Sequence, residues 1–292
     1  MLWIPITVGA AGLQVARNAL QRGLLADAGP WGATLVRFLF GAPFALLFVG
    51  AALAFDAPAR LVFSPTFWFA CAVGGAAQMG ATAALLDSMR RSSFALGTVF
   101  SQSGIPLAAV FALGFGETLG PLKWIGLALT CVGLVVLGLP RKLEGRGVAA
   151  AAVLGVLAGA GFALSSNVYR QAGHAVAPGH PVAAAQITLL AAQVMQASSL
   201  TAWLAARDRA ALRAVVRGWR SSLGAGFLGA AASSLWFIAF NLSPVGPVRA
   251  VGVVEMPIAA FAGRRLFAER LRLTQIAAAA VTAVGVALAA LG

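Results

Sequence analysis

The sequence predicts an all-α integral membrane protein with ten transmembrane helices, arranged as two inverted repeats of five helices each. Three observations support this prediction: the composition, the length of the apolar segments and an internal repeat. The chain has 292 residues, of which 60% are hydrophobic and only 10% are charged. Soluble domains carry about 25% charged residues, so this composition cannot cover a globular surface with polar groups. The chain is therefore expected to reside in a lipid bilayer.

Turn signals divide the chain into apolar segments that each reach the length of about 20 residues needed to cross a bilayer. The predicted spans are residues 2–24, 33–54, 64–88, 93–114, 120–139, 147–170, 181–205, 221–241, 244–264 and 271–291. Residues 2–24 are interpreted as a retained span and not as a cleaved signal peptide, because no Lys or Arg precedes the apolar run and Arg17 and Asn18 interrupt it. The segments are about twice as long as the strands of a membrane barrel, which favours helices.

A sequence pattern that occurs before the midpoint returns near the end. The best-matched pairs are Glu117 and Glu269, Leu119 and Leu271, Ala128 and Ala280, Thr130 and Thr282, Val132 and Val284, and Gly133 and Gly285. Three further pairs have a spacing that is one residue shorter: Pro106 and Pro257, Ala108 and Ala259, and Ala109 and Ala260. Weaker pairs are Gly12 and Gly161, and Asn18 and Asn167. An odd number of spans per copy makes the second copy enter the membrane from the opposite side, so residues 1–142 and 143–292 are predicted to be inverted repeats.

The basic residues predict the orientation in the membrane. The formal net charge is +13, but most of the Lys and Arg lie in short loops between spans, so no nucleic-acid partner is expected. Fifteen lie on one side of the predicted topology: Arg22, Arg90, Arg91, Arg141, Lys142, Arg146, Arg207, Arg209, Arg213, Arg217, Arg220, Arg264, Arg265, Arg270 and Arg272. The other side carries only Arg60, Lys123 and Arg170. The rich side is therefore predicted to face the cytoplasm of a bacterial-type inner membrane, with both termini outward.

The longest loop, residues 206–220, separates apolar and basic residues onto different faces of a helix. Leu212, Val215, Val216 and Trp219 share one face, and Arg209, Arg213, Arg217 and Arg220 share another. Such a helix is expected to lie along the headgroups of an anionic leaflet. The alternative is a solvated basic loop.

Two segments resemble the signature of the EamA-type drug/metabolite transporters: IPLAAVFALGFGETLGPLKWIGLALTCVGLVVLG and MPIAAFAGRRLFAERLRLTQIAAAAVTAVGVALAALG. That signature is a Pro-containing helix, a Gly-Glu-x-Leu turn and a helix with spaced small residues; here Ala268 replaces the second Gly. The resemblance covers essentially the whole chain and implies ten helices and transport of small metabolites, with an amino-acid exporter as an architectural analogue. Many bacterial members keep both termini in the cytoplasm, opposite to the charge count here. Small multidrug relatives carry an acid in the first helix, which this chain lacks, and this argues against exchange of polycationic drugs.

Four charged residues stand out well inside the predicted spans, where a charge costs about 2.5–3.5 kcal/mol on insertion scales. These are Arg17, Arg37, Arg249 and Glu255. Glu255 is predicted to bind a substrate ammonium or to couple transport to protons; the alternative is a structural ion pair with one of the arginines. Arg37 has the alternative of reaching the membrane interface with its long side chain. Together, the three arginines and the acid predict a site that recognises both a carboxylate and an ammonium.

Uncharged residues complete the predicted substrate site. They are Gln14, Asn18, Gln78, Gln102 and Asn167, with Trp236 as an apolar wall and Ser101, Ser165 and Gln186 as further polar candidates. The alternative for each polar residue is a hydrogen bond between helices, and for Trp236 a place in the core. Gly104, Pro106 and Pro257 are predicted to be bending points.

Little in the sequence indicates an enzyme. Cys71 and Cys131 lie in apolar segments without metal-ligand spacing, and no nucleophile stands beside a base, so no cofactor and no metal are expected. His174 and His180 flank a loop, where they are expected to titrate in solvent. The predicted function is a monomeric secondary transporter, surrounded by lipid, that exports or exchanges small amphoteric metabolites such as amino acids by alternating access. The alternatives are a lipid flippase, a non-transporting scaffold and a lipid-modifying enzyme.

Overall fold

The chain is almost entirely helical. A computed structural model describes residues 1–116, 118–138 and 146–267, and also Ala277, Ala280, Val281, Val284, Gly285, Ala287 and Leu288. The helices are α1 Trp3–Gly23, α2 Leu25–Leu39, α3 Ala42–Phe55, α4 Pro65–Arg91, α5 Phe94–Ser101, α6 Gly104–Gly114, α7 Pro121–Gly138, α8 Arg146–Val176, α9 Pro181–Arg207, α10 Arg209–Arg217, α11 Trp219–Leu242, α12 Val245–Val251 and α13 Glu255–Phe267. These described ranges contain no strand, and 88% of the described residues are helical, which confirms the all-α prediction. The repeat residues Glu117, Glu269, Leu271 and Thr282, and most of the predicted tenth span, lie outside the described residues.

The outer surface of the bundle is apolar. Within the part of the chain that the structure describes, six segments are long and apolar enough to cross a membrane: Leu25–Phe55, Pro65–Arg91, Leu96–Gly114, Ala149–Val176, Pro181–Arg207 and Trp219–Leu242. Large apolar side chains face outward, among them Phe55 (92% exposed), Phe69 (71%) and Leu47 (66%). Many polar side chains are buried instead, so the usual distribution of a soluble protein is inverted. The chain is a multi-pass membrane protein.

Helix α1 is absent from those six because it is polar on its inner face. It has 21 residues, which is long enough to span a bilayer, but Arg17, Asn18 and Gln21 lower its overall apolarity. All three side chains are buried against other helices. The polar residues of α1 therefore contact the protein interior and not the lipid.

Three predicted spans are interrupted and not continuous. Residues 33–54 break between α2 and α3, residues 93–114 between α5 and α6, and residues 244–264 at a 3₁₀ turn, Gly252–Val254, between α12 and α13. Two of these breaks have the same cause, since proline has no N–H to donate to the carbonyl four residues earlier. For Pro106 that carbonyl belongs to Gln102, and for Pro257 it belongs to Val253, so each break falls one turn before its proline.

Two polar residues near the loop between α8 and α9 form defined contacts. Helix α8 continues to Val176, six residues beyond the end of the predicted span 147–170, and it therefore contains Arg170 within its last two turns. Arg170 Nη1 donates to the carbonyls of Phe240 and of Ser243, the latter at 2.9 Å, at the end of α11. His180 Nδ1 hydrogen-bonds with Asp56 Oδ1 at 2.9 Å. Both contacts satisfy polar groups at helix ends.

The helices approach closely where small residues face each other. The two most extensive pairings are α4 with α8 and α1 with α11. Gly155 and Gly159 of α8 lie directly on the break between α5 and α6. A Cβ atom on Gly159 would come within 2.6 Å of Gly104 N and of Ser101 O. The small-residue spacing therefore sets how tightly α8 holds this break.

Gly159→Ala is expected to destabilise the protein by about 1–3 kcal/mol, because the added methyl group meets backbone atoms that cannot turn aside. The control is Gly12→Ala in α1, where a Cβ would have no neighbour within 4 Å. Thermal unfolding of the detergent-solubilised variants should show a lower melting temperature for Gly159→Ala only. Equal melting temperatures would contradict the tight packing of α8 on the break.

Asp56 fastens the α3–α4 loop to the start of α9. Its Oδ2 accepts hydrogen bonds from the backbone N–H groups of Val182 and Ala183, both at 3.1 Å. Partial burial alone would raise the pKa of Asp56, but the hydrogen bonds from His180 and from these two N–H groups outweigh it and lower the pKa below its ordinary value of 3.8. The ionised carboxylate is thus the form that the fold favours.

Asp56→Ala is expected to lower stability at neutral pH by about 0.5–2 kcal/mol, the usual effect of losing a helix cap. Because the folded-state pKa is depressed, the stabilisation is fully present above pH 3.8 and is lost as the pH falls through the folded-state pKa. Melting curves of wild type and variant should therefore differ at pH 7 and converge only when the pH falls below the folded-state pKa, which lies under 3.8. A difference that persists undiminished in acid would show that the carboxylate charge is not involved.

Candidate functional site

A narrow cavity lies at the centre of the bundle; it is partly open to solvent and has a volume of about 20 Å³, room for little more than one water molecule. Six helices supply its walls: α1, α2, α4, α8, α11 and α12. The lining residues are Gln14, Arg37, Gln78, Phe162, Ser165, Ser166, Tyr169, Ser233, Trp236, Phe237, Phe240 and Arg249. This volume is far below the range of about 300–1,000 Å³ that is typical of small-molecule sites, so a substrate can enter only if the surrounding helices move apart.

Two helix breaks meet beside this cavity. Gln102 caps the end of α5 at the first break, and Glu255 opens α13 at the second. Gln102 Nε2 donates to Glu255 Oε1, and Gln14 Nε2 of α1 donates to Glu255 Oε2 at 2.5 Å. Glu255 is 5% exposed, and each of its oxygens has an amide donor. Three separate elements are thus held together by one buried carboxylate.

Two arginines balance the charge of Glu255 through space. Both Arg249 and Arg17 interact electrostatically with it. Arg17 lies deep in α1 and donates through Nε and Nη2 to Asn18 Oδ1, at 3.2 and 2.6 Å. Its Nη1 is buried and has no hydrogen-bond partner among the described residues. Arg17 and Asn18 therefore support the site from behind and do not line the cavity.

The side chain of Arg37 extends from α2 and lines the cavity. Its Nη1 donates to Thr82 Oγ1 and its Nη2 to Ser233 Oγ, both at 3.0 Å. Gly229 of α11 makes room for it, because a Cβ there would lie 2.8 Å from Arg37 Cγ. With 3% exposure, Arg37 is buried within the protein. The alternative prediction, that it reaches the membrane interface, is wrong.

Arg249 lies between two aromatic rings. The centre of its guanidinium group is 5.4 Å from the ring of Trp236 and 5.8 Å from that of Phe162. Arg249 Nε is buried without a hydrogen-bond partner among the described residues, so this donor is available to an acceptor. Gly252 brings the backbone of the second break against the same indole, since a Cβ there would lie 2.4 Å from it.

The remaining predicted residues divide between the cavity wall and helix contacts. Gln78 lines the cavity, and its Oε1 accepts from Tyr169 Oη at 3.3 Å and from Gln196 Nε2 at 2.9 Å. Asn167 is placed elsewhere: its Nδ2 donates to the carbonyls of Ala108 and Ala163, both at 3.0 Å. Asn167 was predicted to bind substrate, but it links α8 to α6 and does not face the cavity.

Sequence reasoning missed several residues of the wall: Thr82 as an Arg37 partner, and Phe162, Ser166, Tyr169, Ser233 and Phe240 as lining residues. A signal for them was present, because lining residues recur three or four positions apart on α8 and on α11. Starting from Ser165 on α8 and Trp236 on α11, successive steps of three or four residues identify Phe162, Ser166, Tyr169, Ser233 and Phe240. Tyr169 is also the single tyrosine of the sequence.

No metal-binding group is found among the described residues, since no three His, Cys, Asp or Glu side chains lie close enough to share an ion. The chemistry that the cavity offers is recognition by guanidinium groups, hydroxyl groups, amides and aromatic rings.

Comparison with known proteins supports the fold. The sequence matches no protein-family model and no curated protein. Among solved structures, 29 chains are similar to it. One of them, described as "Crystal structure of protein", aligns with 100% of this chain and 96% of its own, at a TM-score of 0.65 and 16% identity. At this identity the likeness shows the arrangement of the helices alone.

Gln102→Leu is expected to destabilise the protein by about 1–3 kcal/mol, because one oxygen of buried Glu255 loses its donor. The matched control is Gln193→Leu in α9. Gln193 is equally buried, but neither end of its amide has a partner among the described residues, so Leu should be neutral or stabilising there. Melting temperatures of the two purified variants test this contrast. Equal destabilisation by both would show that loss of volume, and not the carboxylate, determines the effect.

Proposed function

We propose that this protein is a secondary transporter of the EamA-type drug/metabolite class, with ten membrane spans in two inverted halves, residues 1–142 and 143–292. It exports or exchanges small metabolites that carry a carboxylate, amino acids among them, by alternating access around the central cavity. The observation that carries this proposal is the meeting of two interrupted helices at Glu255, beside a cavity with buried arginines. Interrupted helices that meet at membrane depth are a common way to build a transport site.

The positions of the helices support the inverted repeat. Helices α5 and α6 begin at Phe94 and Gly104, and helices α12 and α13 begin at Val245 and Glu255. The offset is the same for both pairs, and it equals the offset between Pro106 and Pro257. The two interrupted helices therefore correspond in both sequence and structure.

The pairing of the helices also supports the inverted repeat. The sequence match of Asn18 with Asn167 relates α1 to α8. Helix α4 ends three residues before α5, and α11 ends three residues before α12, which relates α4 to α11. Exchanging the two copies therefore converts the α1–α11 pairing into the α8–α4 pairing. These are the two most extensive pairings in the bundle, as a two-fold relation between the halves requires.

Charge supports a bacterial-type inner membrane location with both termini outward. Helix α10 packs on α2 through Ala211 and Val215, while Val216 remains 56% exposed, and Trp219, which begins α11 after Gly218, is 47% exposed. The arginines of α10 lie beside exposed apolar side chains, as in helices that rest on an anionic cytoplasmic leaflet. Arg90 and Arg91 end α4 next to Met89, which packs on the start of the same helix α2.

Gly104, Pro106 and Pro257 are the proposed bending points. Each proline lies in the first turn of its helix, where its missing N–H leaves no intrahelical bond unmade. The break before each proline lacks the regular hydrogen-bond ladder of a continuous helix. Bending at the two breaks would alternately open the cavity to either side of the membrane.

The test is counterflow of radiolabelled amino acids in proteoliposomes, comparing wild type, Glu255→Gln and the surface control Asp87→Asn. Wild type and the control should exchange, whereas Glu255→Gln should lose about tenfold or more of its rate, because the breaks and both nearby arginines lose their shared acceptor. Unchanged exchange by Glu255→Gln would leave the transporter but remove Glu255 from its mechanism. Absence of exchange with every amino acid would contradict their place among the substrates.

A further inference from the structure

We infer that the central cavity selects an organic anion, a monocarboxylate with an aromatic or apolar body and without an ammonium group. This inference rests on the proposed transport function and specifies its substrate class. It departs from the amphoteric substrate that the sequence predicts, because it gives the preferred substrate a single charge sign.

The first argument is the balance of charge inside the bundle. Among the described residues, the charged side chains well inside the spans are Arg17, Arg37, Arg249 and Glu255. One carboxylate therefore faces three guanidinium groups, and the region keeps an excess of positive charge. Since burying an uncompensated charge is unfavourable, a bound anion would stabilise this arrangement and a bound cation would oppose it.

The second argument is the set of hydrogen-bond donors without acceptors. Arg37 Nε and Arg249 Nε are both buried and have no partner among the described residues. Buried donors of native proteins are nearly always paired, so donors left over at a cavity point to a ligand that brings acceptors. A carboxylate suits them, because its two oxygens match the spacing of guanidinium N–H groups.

The third argument concerns where an ammonium group could bind. No carboxylate lines the cavity within the described ranges, and both oxygens of Glu255 already accept from glutamine amides. The aromatic faces of Trp236 and Phe162, which could attract a cation, already contact Arg249. An ammonium group would therefore meet positive charge without a free counter-charge.

The body of the ligand follows from the rest of the wall. Tyr169, Phe237 and Phe240 line the cavity together with Trp236 and Phe162. The rings of Tyr169 and Phe237 lie 4.5 Å apart, and those of Trp236 and Phe240 lie 5.6 Å apart. Such a wall favours a planar apolar group by burial and ring contact.

The inference can be tested with three compounds that share one phenyl ring and differ in their charged groups. 3-Phenylpropionate carries a carboxylate, phenylalanine carries a carboxylate and an ammonium group, and phenethylamine carries only an ammonium group. Binding to the detergent-solubilised full-length protein would be measured by titration calorimetry, because protonated weak acids cross lipid unaided and obscure transport. We expect phenylpropionate to bind about tenfold or more tightly than phenylalanine, and phenethylamine to bind most weakly. Equal or tighter binding of either amine-containing compound overturns the inference, as does absence of binding by phenylpropionate.

Variants assign the binding to the cavity. Arg249→Gln should weaken phenylpropionate binding by about tenfold to a hundredfold, since a charged hydrogen bond is lost. Arg37→Lys, which keeps the charge but not the planar donors, should weaken it less, and the exposed control Arg90→Gln should leave it unchanged. Unaltered binding in Arg249→Gln overturns the site, and so does stabilisation by chloride alone that equals the effect of phenylpropionate. Amino-acid counterflow together with a failure of phenylpropionate would overturn this inference and leave the transport proposal standing.

Discussion

A buried carboxylate joins the two interrupted helices at the centre of this protein. Glu255, at the second break, accepts hydrogen bonds from Gln14 in α1 and from Gln102 at the first break. Without these donors and the nearby positive charges, an ionised acid at membrane depth would be strongly unfavourable. The breaks need such a contact in turn, because an interrupted helix has polar backbone groups that lipid cannot satisfy. Acid and breaks thus stabilise each other, and the cavity forms beside them.

Glycine determines how closely the neighbouring helices surround this centre. Gly159 brings α8 onto the first break, Gly252 brings the second break onto Trp236, and Gly229 leaves space for Arg37. Each of these positions faces a group that the cavity uses. The same residue type thus contributes packing density and gives the large side chains of the site their positions. An apolar bundle without these glycines would be wider and would place the arginines differently.

Composition and segment length were sufficient to predict the helical membrane fold, because lipid permits few other structures. The four charged residues at depth could also be predicted, since a charge in an apolar run is conspicuous. The partners could not: that Glu255 binds two glutamines, and that Arg249 lies between Trp236 and Phe162, depends on how distant helices pack. Asn167 matches Asn18 in the sequence, yet it binds the Ala108 and Ala163 carbonyls. The contacts of His180 and Arg170 could not be predicted either, because loop length does not reveal which groups meet at helix ends.

The two copies of the repeat are not equivalent at the position that matters most. Where the second copy has Glu255, the corresponding residue of the first copy is Gly104, and its neighbour Gln102 supplies a donor and not an acid. In the proposed transporter, two halves that differ in this way cannot give inward-open and outward-open conformations of equal free energy, although a pseudo-two-fold axis would relate them. In the proposed transport cycle one side of the membrane would therefore be the preferred opening in the absence of substrate. The difference between Gly104 and Glu255 would determine which conformation, inward-open or outward-open, predominates in the substrate-free transporter.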